Sequence, residues 1–141
     1  MALFSKRTKA RKLNHLSEIE ELTATGKPVL LDFYQAGCAP CQVMDGIMNE
    51  LANEYGESAH VVKVDIHRVP GAIETFKIRS TPTIVLLGKS TKRPSKKKRQ
   101  RGEGAGNRPV SQRLRVAGLV KKDQLRRSLE SSGAVPPATQ P

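Results

Sequence analysis

Three segments of the chain are nearly continuous runs of apolar residues: Pro28 to Tyr34, His60 to Ile66 and Ser80 to Leu87. Runs of this length are typical of strands that are buried on both faces of a sheet. A fourth strand is predicted between Val110 and Val116, where apolar and basic residues alternate and Gln112 interrupts the apolar face near its start.

Helical periodicity occupies most of the intervals between these strands. From Cys38 to Tyr55 apolar residues recur three or four positions apart. Shorter helices are predicted after Leu16, where Ser17 and Glu20 can form a capping box, and from Pro70 to Phe76. The last helix is predicted from Lys121 to Ser131. This order indicates an α/β fold, in which helices cover both faces of a mixed sheet and the last two strands pair as a hairpin.

The positive charge of the chain is concentrated in two segments. The formal net charge is +12, yet residues 13–88 hold more acidic than basic residues. Between Gly88 and Pro109 the chain is rich in Gly, Pro and basic residues, and it contains too few apolar residues to offset its ordering entropy. We therefore expect a disordered basic insert at the hairpin tip. Its densest part, KRPSKKKRQR, contains Lys92, Arg93, Lys96, Lys97, Lys98, Arg99 and Arg101.

Such an insert is suited to a polyanion, namely DNA, RNA, the ribosome or anionic lipid. It has no aromatic residues, so it offers no base stacking, and binding to nucleic acid would be directed to the backbone and blind to sequence. The run also resembles a nuclear localisation signal, which matters only in a cell with a nucleus. The alternative is a solvated loop that merely extends the hairpin.

The flanking segments define the predicted domain organisation. Residues 1–14 are interpreted as a basic N-terminal extension, residues 15–131 as one domain and residues 132–141 as a disordered tail. No apolar run approaches the roughly twenty residues of a membrane span. MALFSKRTKARK lacks the apolar stretch of a signal peptide, although it has some resemblance to an organelle transit peptide. We expect a cytoplasmic monomer, or a nuclear or organellar one in a eukaryote.

The two cysteines, Cys38 and Cys41, form a C-x-x-C motif between a predicted strand and a predicted helix. A helix N-terminus stabilises a thiolate, so Cys38 is expected to be the attacking sulfur and Cys41 the resolving one. Pro40 stiffens the turn between them. The alternative is zinc, which needs about four ligands. A second pair is missing and the three histidines show no ligand spacing, so only zinc shared between two chains stays open.

Four stretches, VLLDFYQAGCAPC, VVKVDI, IRSTPTIVLL and VAGLVKKDQL, occur in this order and resemble the thioredoxin family. The resemblance covers residues 16–88 and 110–131. It implies the thioredoxin fold and a protein-disulfide reductase whose only redox group is the Cys38–Cys41 disulfide. It also implies protein disulfides as substrates and a partner such as thioredoxin reductase. The alternative is a binding or assembly module that keeps the fold with little turnover.

Asp32 is the one charged residue of its apolar strand, and burial should raise the pKa of its carboxyl group. The resemblance makes Asp32 the acid that moves protons to and from Cys41, and Lys63 its partner. The alternative is an Asp at a strand end and a Lys on a strand edge.

The resemblance also implies a substrate-binding surface. It makes Pro82 a cis-proline facing the cysteines, leaves the Thr81 backbone free to pair with an extended substrate, and places Gly118 where substrate approaches; the alternative for Gly118 is an ordinary turn glycine. Gly37 and Ala39 depart from the Trp and Gly usual in the family, which affects substrate contact and redox poise. The predicted substrate-binding residues are Gly37, Ala39, Pro40, Thr81, Pro82 and Gly118.

Overall fold

The fold is that of a computed structural model, which describes residues 8–89 and 109–137. These residues form a five-stranded mixed sheet with helices on both faces, as the sequence predicts. The elements in chain order are β1 (Arg11–Lys12), α1 (Ser17–Thr23), β2 (Val29–Tyr34), α2 (Ala39–Tyr55), β3 (His60–Asp65), α3 (Ala72–Phe76), β4 (Thr83–Gly88), β5 (Ser111–Ala117) and α4 (Lys122–Ser131).

The strand order in the sheet is β1-β3-β2-β4-β5. Strands β1, β3 and β2 run parallel, whereas β4 is antiparallel to both β2 and β5. The central strand β2 is buried from Val29 to Phe33, which explains why its sequence is apolar on both faces rather than alternating.

Side-chain alternation along β2 divides the interior into two cores. Leu30 packs with Met44, Met48 and Leu125 in a core formed with α2 and α4. Leu31 belongs to the opposite core, which includes residues of α1 and α3. Asp32 follows Leu31, so its carboxyl group points to the same face as Leu30, beneath α2.

Strand β1 is not predicted by the sequence, which places these residues in the N-terminal extension. Arg11 and Lys12 pair with Val62 and Lys63 of β3, and the flanking Ala10 and Leu13 are buried. The strand is short, exposed and basic, so periodicity cannot reveal it. It is held by long-range contacts, since the Ala10 N–H donates to Asn49 Oδ1 at 3.0 Å.

Both short helices begin differently from the prediction. The capping box of Ser17 and Glu20 is wrong, because the residue before α1 is Leu16 and no side chain caps it. Instead the Glu18 carboxylate accepts the backbone N–H groups of Asn14 and His15 at 2.7 and 2.9 Å. Helix α3 begins at Ala72, two residues after Pro70, because Gly71 has a left-handed φ of 81°.

The predicted insert lies between two paired residues. Gly88 and Ser111 are partners in the antiparallel β4–β5 ladder, which confirms the predicted hairpin. The seven basic residues of KRPSKKKRQR fall within residues 90–108, outside the described residues. The insert is therefore connected to adjacent positions on two neighbouring strands.

The C-terminal tail predicted from residue 132 is partly ordered. Ser132 and Ala134 are buried, and the Ala134 N–H donates to Leu129 O at 3.0 Å. The Val135 N–H donates to Ser58 Oγ at 2.9 Å. The prediction of a frayed tail is wrong for these residues because the small side chains fit against the core beside α4, and their sequence carries no periodic signal.

Truncation should separate the packed part of the tail from the rest. Ending the chain after Ser131 removes the buried Ser132 and Ala134 and the hydrogen bonds donated by the backbone N–H groups of residues 132–135. This should lower the free energy of unfolding by about 2–3 kcal/mol. Ending it after Pro137 should change it by less than about 0.5 kcal/mol. Urea denaturation of both variants checks this. Equal stability of the two variants would contradict the packing role of residues 132–135.

Candidate active site

The two cysteines form a disulfide at the start of α2. Cys38 is the residue immediately before the helix, in an extended conformation, and its sulfur accepts the Cys41 N–H at 3.2 Å. Cys41 lies inside the first turn and is buried, whereas Cys38 is only partly buried. Cys38 is therefore the more exposed of the two cysteines.

Cys38 faces the loop that precedes β4. Its sulfur lies 3.6 Å from both the carbonyl oxygen and the hydroxyl of Thr81. The Thr81–Pro82 peptide bond is cis, as the family resemblance implies. The Gly118 N–H donates to Pro82 O at 2.7 Å, and Gly118 has a φ of 98°, which favours glycine. The structure thus brings Cys38, Thr81, Pro82 and Gly118 together.

Two polar residues outside the site predicted from the sequence support this loop. The Gln35 amide donates to the Thr81 hydroxyl at 2.8 Å, and its oxygen lies 2.9 Å from His67 Nε2. Gln35 follows β2 directly and His67 follows β3. Parallel strands end at the same edge of a sheet. The position of His67 just after β3 could therefore have indicated that it lies near Gln35, which follows β2.

The other side of the cysteines is an open cleft of about 240 Å³. Gly37 lines it with a φ of 77°, and a Cβ at this position would meet nothing within 4 Å. Ala39 and Pro40 are exposed at the start of α2. The cleft is lined by Tyr34, Gln35, Ala36, Gly37, Cys38, Cys41, Gln42 and Asp45.

Asp32 is buried, with 1% of its surface exposed. Among the described residues neither carboxyl oxygen has a hydrogen-bond partner. Burial raises the pKa of Asp32 to about 7; the Lys63 charge opposes this rise and the Asp45 charge adds to it. The expectation of a raised pKa is confirmed, and its main cause is desolvation.

Lys63 lies opposite Asp32 in the parallel β2–β3 pairing, but its ammonium group donates its hydrogen bond to a different residue. The Lys63 ammonium forms an ion pair with Asp45, on α2. The family resemblance makes Asp32 the partner of Lys63, and in this structure the interaction between these two residues is electrostatic rather than a hydrogen bond. Asp45 is not predicted from the sequence, although a residue four positions after Cys41 lies on the same helical face.

No cluster of three or more potential metal ligands occurs within residues 8–89 and 109–137. In that same part of the chain, no helix has the length and apolar content needed to cross a membrane.

The family model described as thioredoxin matches residues 9–106. Thioredoxin Y1 of Arabidopsis thaliana, described as chloroplastic, is 36% identical over 82 residues, 58% of this chain and 48% of that protein. Thioredoxin-1 of Drosophila melanogaster is 39% identical over 64 residues, 45% of this chain and 60% of that protein. This chain therefore belongs to the thioredoxin family, and it spans between about half and three fifths of the length of these relatives.

Solved structures show the same fold. A mutant thioredoxin from Halobacterium salinarum superposes with a TM-score of 0.65 at 24% identity, covering 94% of this chain and 98% of that one. Chloroplastic thioredoxin z gives a TM-score of 0.62 at 23% identity, covering 86% and 92%. Each of these similarities establishes the fold alone.

Replacing Asp32 should change the pH dependence of stability. The folded-state pKa of about 7 lies above the ordinary 3.8, so the folded state loses stability as pH rises from about 4 through about 7. Asp32→Asn should therefore raise the free energy of unfolding at pH 8 by on the order of 4 kcal/mol and have little effect near pH 4. Urea denaturation of the oxidised protein at both pH values measures this.

Asp123→Asn is the matched control, because Asp123 is an exposed carboxylate on α4. It should leave the pH dependence of stability nearly unchanged. If Asp32→Asn changed stability equally at pH 4 and pH 8, the burial of an ionisable Asp32 would not explain the effect.

Proposed function

We propose that this protein is a thiol-disulfide oxidoreductase that reduces disulfides in other proteins. The observation that carries this proposal is the Cys38–Cys41 disulfide at the start of α2, beside the cis peptide before Pro82. The positive end of a helix and unpaired N–H groups stabilise a thiolate at this position. A binding or assembly module without turnover would need the fold but not this arrangement of two sulfurs, so the reductase is favoured.

The reduced protein begins the proposed cycle. The Cys38 thiolate attacks one sulfur of the substrate disulfide, and the other substrate sulfur leaves as a thiolate that takes up a proton. Cys41 then loses its proton and attacks Cys38, which breaks the mixed disulfide and releases the second substrate thiol. Two electrons pass to the substrate, and Cys38 and Cys41 become the disulfide. A reductase, such as thioredoxin reductase, must then return two electrons to the Cys38–Cys41 disulfide to restore the two thiols.

Asp32 is proposed to take the Cys41 proton in the second step. A carboxyl group with a pKa of about 7 can accept and release a proton near neutral pH. The position of Asp32 supports this role. Its side chain lies on the face of β2 that packs against α2, and α2 is the helix that contains Cys41. Lys63 contributes the positive charge that moderates the pKa of Asp32.

An extended segment of substrate is proposed to pair with the Thr81 backbone. Thr81 O lies 3.6 Å from Cys38 Sγ, so such pairing would hold a substrate sulfur beside Cys38. Gly118, held next to Pro82, leaves room for the segment on one side. On the other side Gly37, Ala39 and Pro40 present little side-chain surface, which should make substrate contact depend on backbone more than on an aromatic wall.

Single cysteine variants test the order of attack. Cys41→Ser should accumulate a mixed disulfide with a protein substrate, because Cys38 still attacks and nothing resolves the product. Cys38→Ser should not, because Cys41 is buried. Non-reducing electrophoresis after incubation with insulin measures this. Equal accumulation in both variants would contradict the assignment of Cys38 as the nucleophile.

We further propose that the basic insert tethers this activity to a polyanion. The proposal is supported by the basic composition of residues 92–101. It is also supported by the pairing of Gly88 with Ser111, which is the last pair of the β4–β5 ladder before the insert. The entropic cost of closing a loop grows only with the logarithm of its length, so a long insert at this position should lower the stability of the fold very little. The protein is proposed to act as a monomer in the cytoplasm, or in the nucleus or an organelle of a eukaryote.

Shortening the hairpin tests the tether. A two-residue turn in place of residues 89–110 keeps Gly88 and Ser111 as partners, so folding and insulin reduction should be nearly unchanged. Retention on heparin or DNA should largely disappear. Gln at Lys96, Lys97, Lys98 and Arg99 is the length-matched control, and it should reduce the slope of log affinity against log salt by about 0.9 for each phosphate that is no longer neutralised. Full retention by the shortened protein would refute the tether.

A further inference from the structure

Asp45 occupies a position on α2 that links the cysteines to the buried acid. It lies four residues after Cys41 and lines the cleft beside both cysteines. Its carboxylate forms an ion pair with the Lys63 ammonium. The Asp45 side chain is 49% exposed, whereas that of Lys63 is 9% exposed. The buried lysine therefore directs its charged end towards the surface, where Asp45 receives it.

Lys63 could also approach Asp32. The two residues are partners in the β2–β3 register, and their side chains share a face because Leu30 and Val61, the preceding pair on that face, lie in the same core. Neighbouring strands are about 4.8 Å apart, so one lysine side chain can reach either carboxylate. It bonds to Asp45, while the Asp32 oxygens have no hydrogen-bond partner among the described residues.

We propose that Asp45 is a positioning residue, which holds the Lys63 ammonium away from Asp32 and so keeps Asp32 free to exchange a proton with Cys41. If Lys63 paired with Asp32 instead, the closed ion pair would make the carboxylate a weaker base. The catalytic consequence rests on the proposed reductase function. Whether Lys63 pairs with Asp45 or with Asp32 can be tested without measuring turnover.

The charges that act on Asp32 come from two neighbouring elements. Lys63 approaches from β3 and Asp45 from α2, and both act on the Asp32 charge. Tyr34 lies two residues along β2, and the facing residue on β4 is the apolar Ile84. On α4, Lys122 is bound by Glu50 and Glu54.

Removing the Asp45 charge should therefore have two effects of the same sign. It removes a negative charge that raises the pKa of Asp32, and it frees Lys63 to bond to Asp32. Both effects stabilise the ionised form of Asp32 and lower its pKa from about 7.

The direct test is titration of the Asp32 carboxyl carbon by ¹³C NMR in the oxidised protein, where neither cysteine titrates. In Asp45→Asn the Asp32 midpoint should fall by about one pH unit. Glu50→Gln is the matched control, because Glu50 is another α2 carboxylate that binds Lys122 rather than Lys63. It should leave the midpoint unchanged. An unchanged midpoint in folded Asp45→Asn would overturn the proposal.

A double-mutant cycle separates positioning from simple charge repulsion. In a Lys63→Met background, Asp45→Asn should shift the Asp32 midpoint by less than about half as much, because no ammonium is left to redirect. Lys63→Gln replaces Lys63→Met if the latter is unstable. A full-sized shift without Lys63 would overturn the positioning role.

The rate of mixed-disulfide resolution supplies the catalytic readout. In Asp45→Asn its pH midpoint should move down together with the Asp32 midpoint. An NMR shift in a protein without insulin reduction would support the positioning of Lys63 and refute the reductase function. A rate midpoint that stays in place while Asp32 shifts would overturn the catalytic part of the proposal.

Discussion

The burial of β2 on both faces is the constraint on which the rest of the structure depends. The strand supplies one row of side chains to each core and is paired on both edges, so its register is fixed by apolar packing on both faces. A shift of one residue would exchange the two rows, placing Leu31 where Asp32 now lies. The hydrophobic effect thus determines in which of the two cores the Asp32 carboxyl group lies. The chain that leaves the end of β2 leads directly to Cys38, at the start of α2.

Placing a carboxyl group in this core opposes stability, and under the proposed function it supplies the group that accepts the Cys41 proton. The free energy lost by desolvating Asp32 appears as its raised pKa, which brings its titration into the neutral range. A direct hydrogen-bonded pair with Lys63 would recover part of that energy and remove much of the shift. The observed pairing of Lys63 with Asp45 keeps the cost, which is the pattern expected where a site is maintained for function at some expense of stability.

The fold also explains how a long basic segment and a redox site can share one small chain. The insert joins Gly88 to Ser111, whereas the cysteines face Thr81, which precedes the opposite end of β4. The attachment points Gly88 and Ser111 are therefore separated from Thr81 by the length of β4. Within residues 8–89 and 109–137, segments on both sides of the insert contribute to one core, because Leu86 of β4 and Leu125 of α4 pack together in it.

The sequence by itself determined the major elements and the reactive pair. Apolar runs and helical spacing located β2, β3, β4 and α2 because each buries a regular row of side chains, and C-x-x-C marked the site because its spacing is local. Strand β1 and the packed residues 132–135 were decided by tertiary structure, since they are short, lack periodicity and are held by distant partners. The same holds for the partner of Lys63. The family resemblance indicates only Asp32 as the partner of Lys63, and the packing of α2 on the sheet brings Asp45 to it instead.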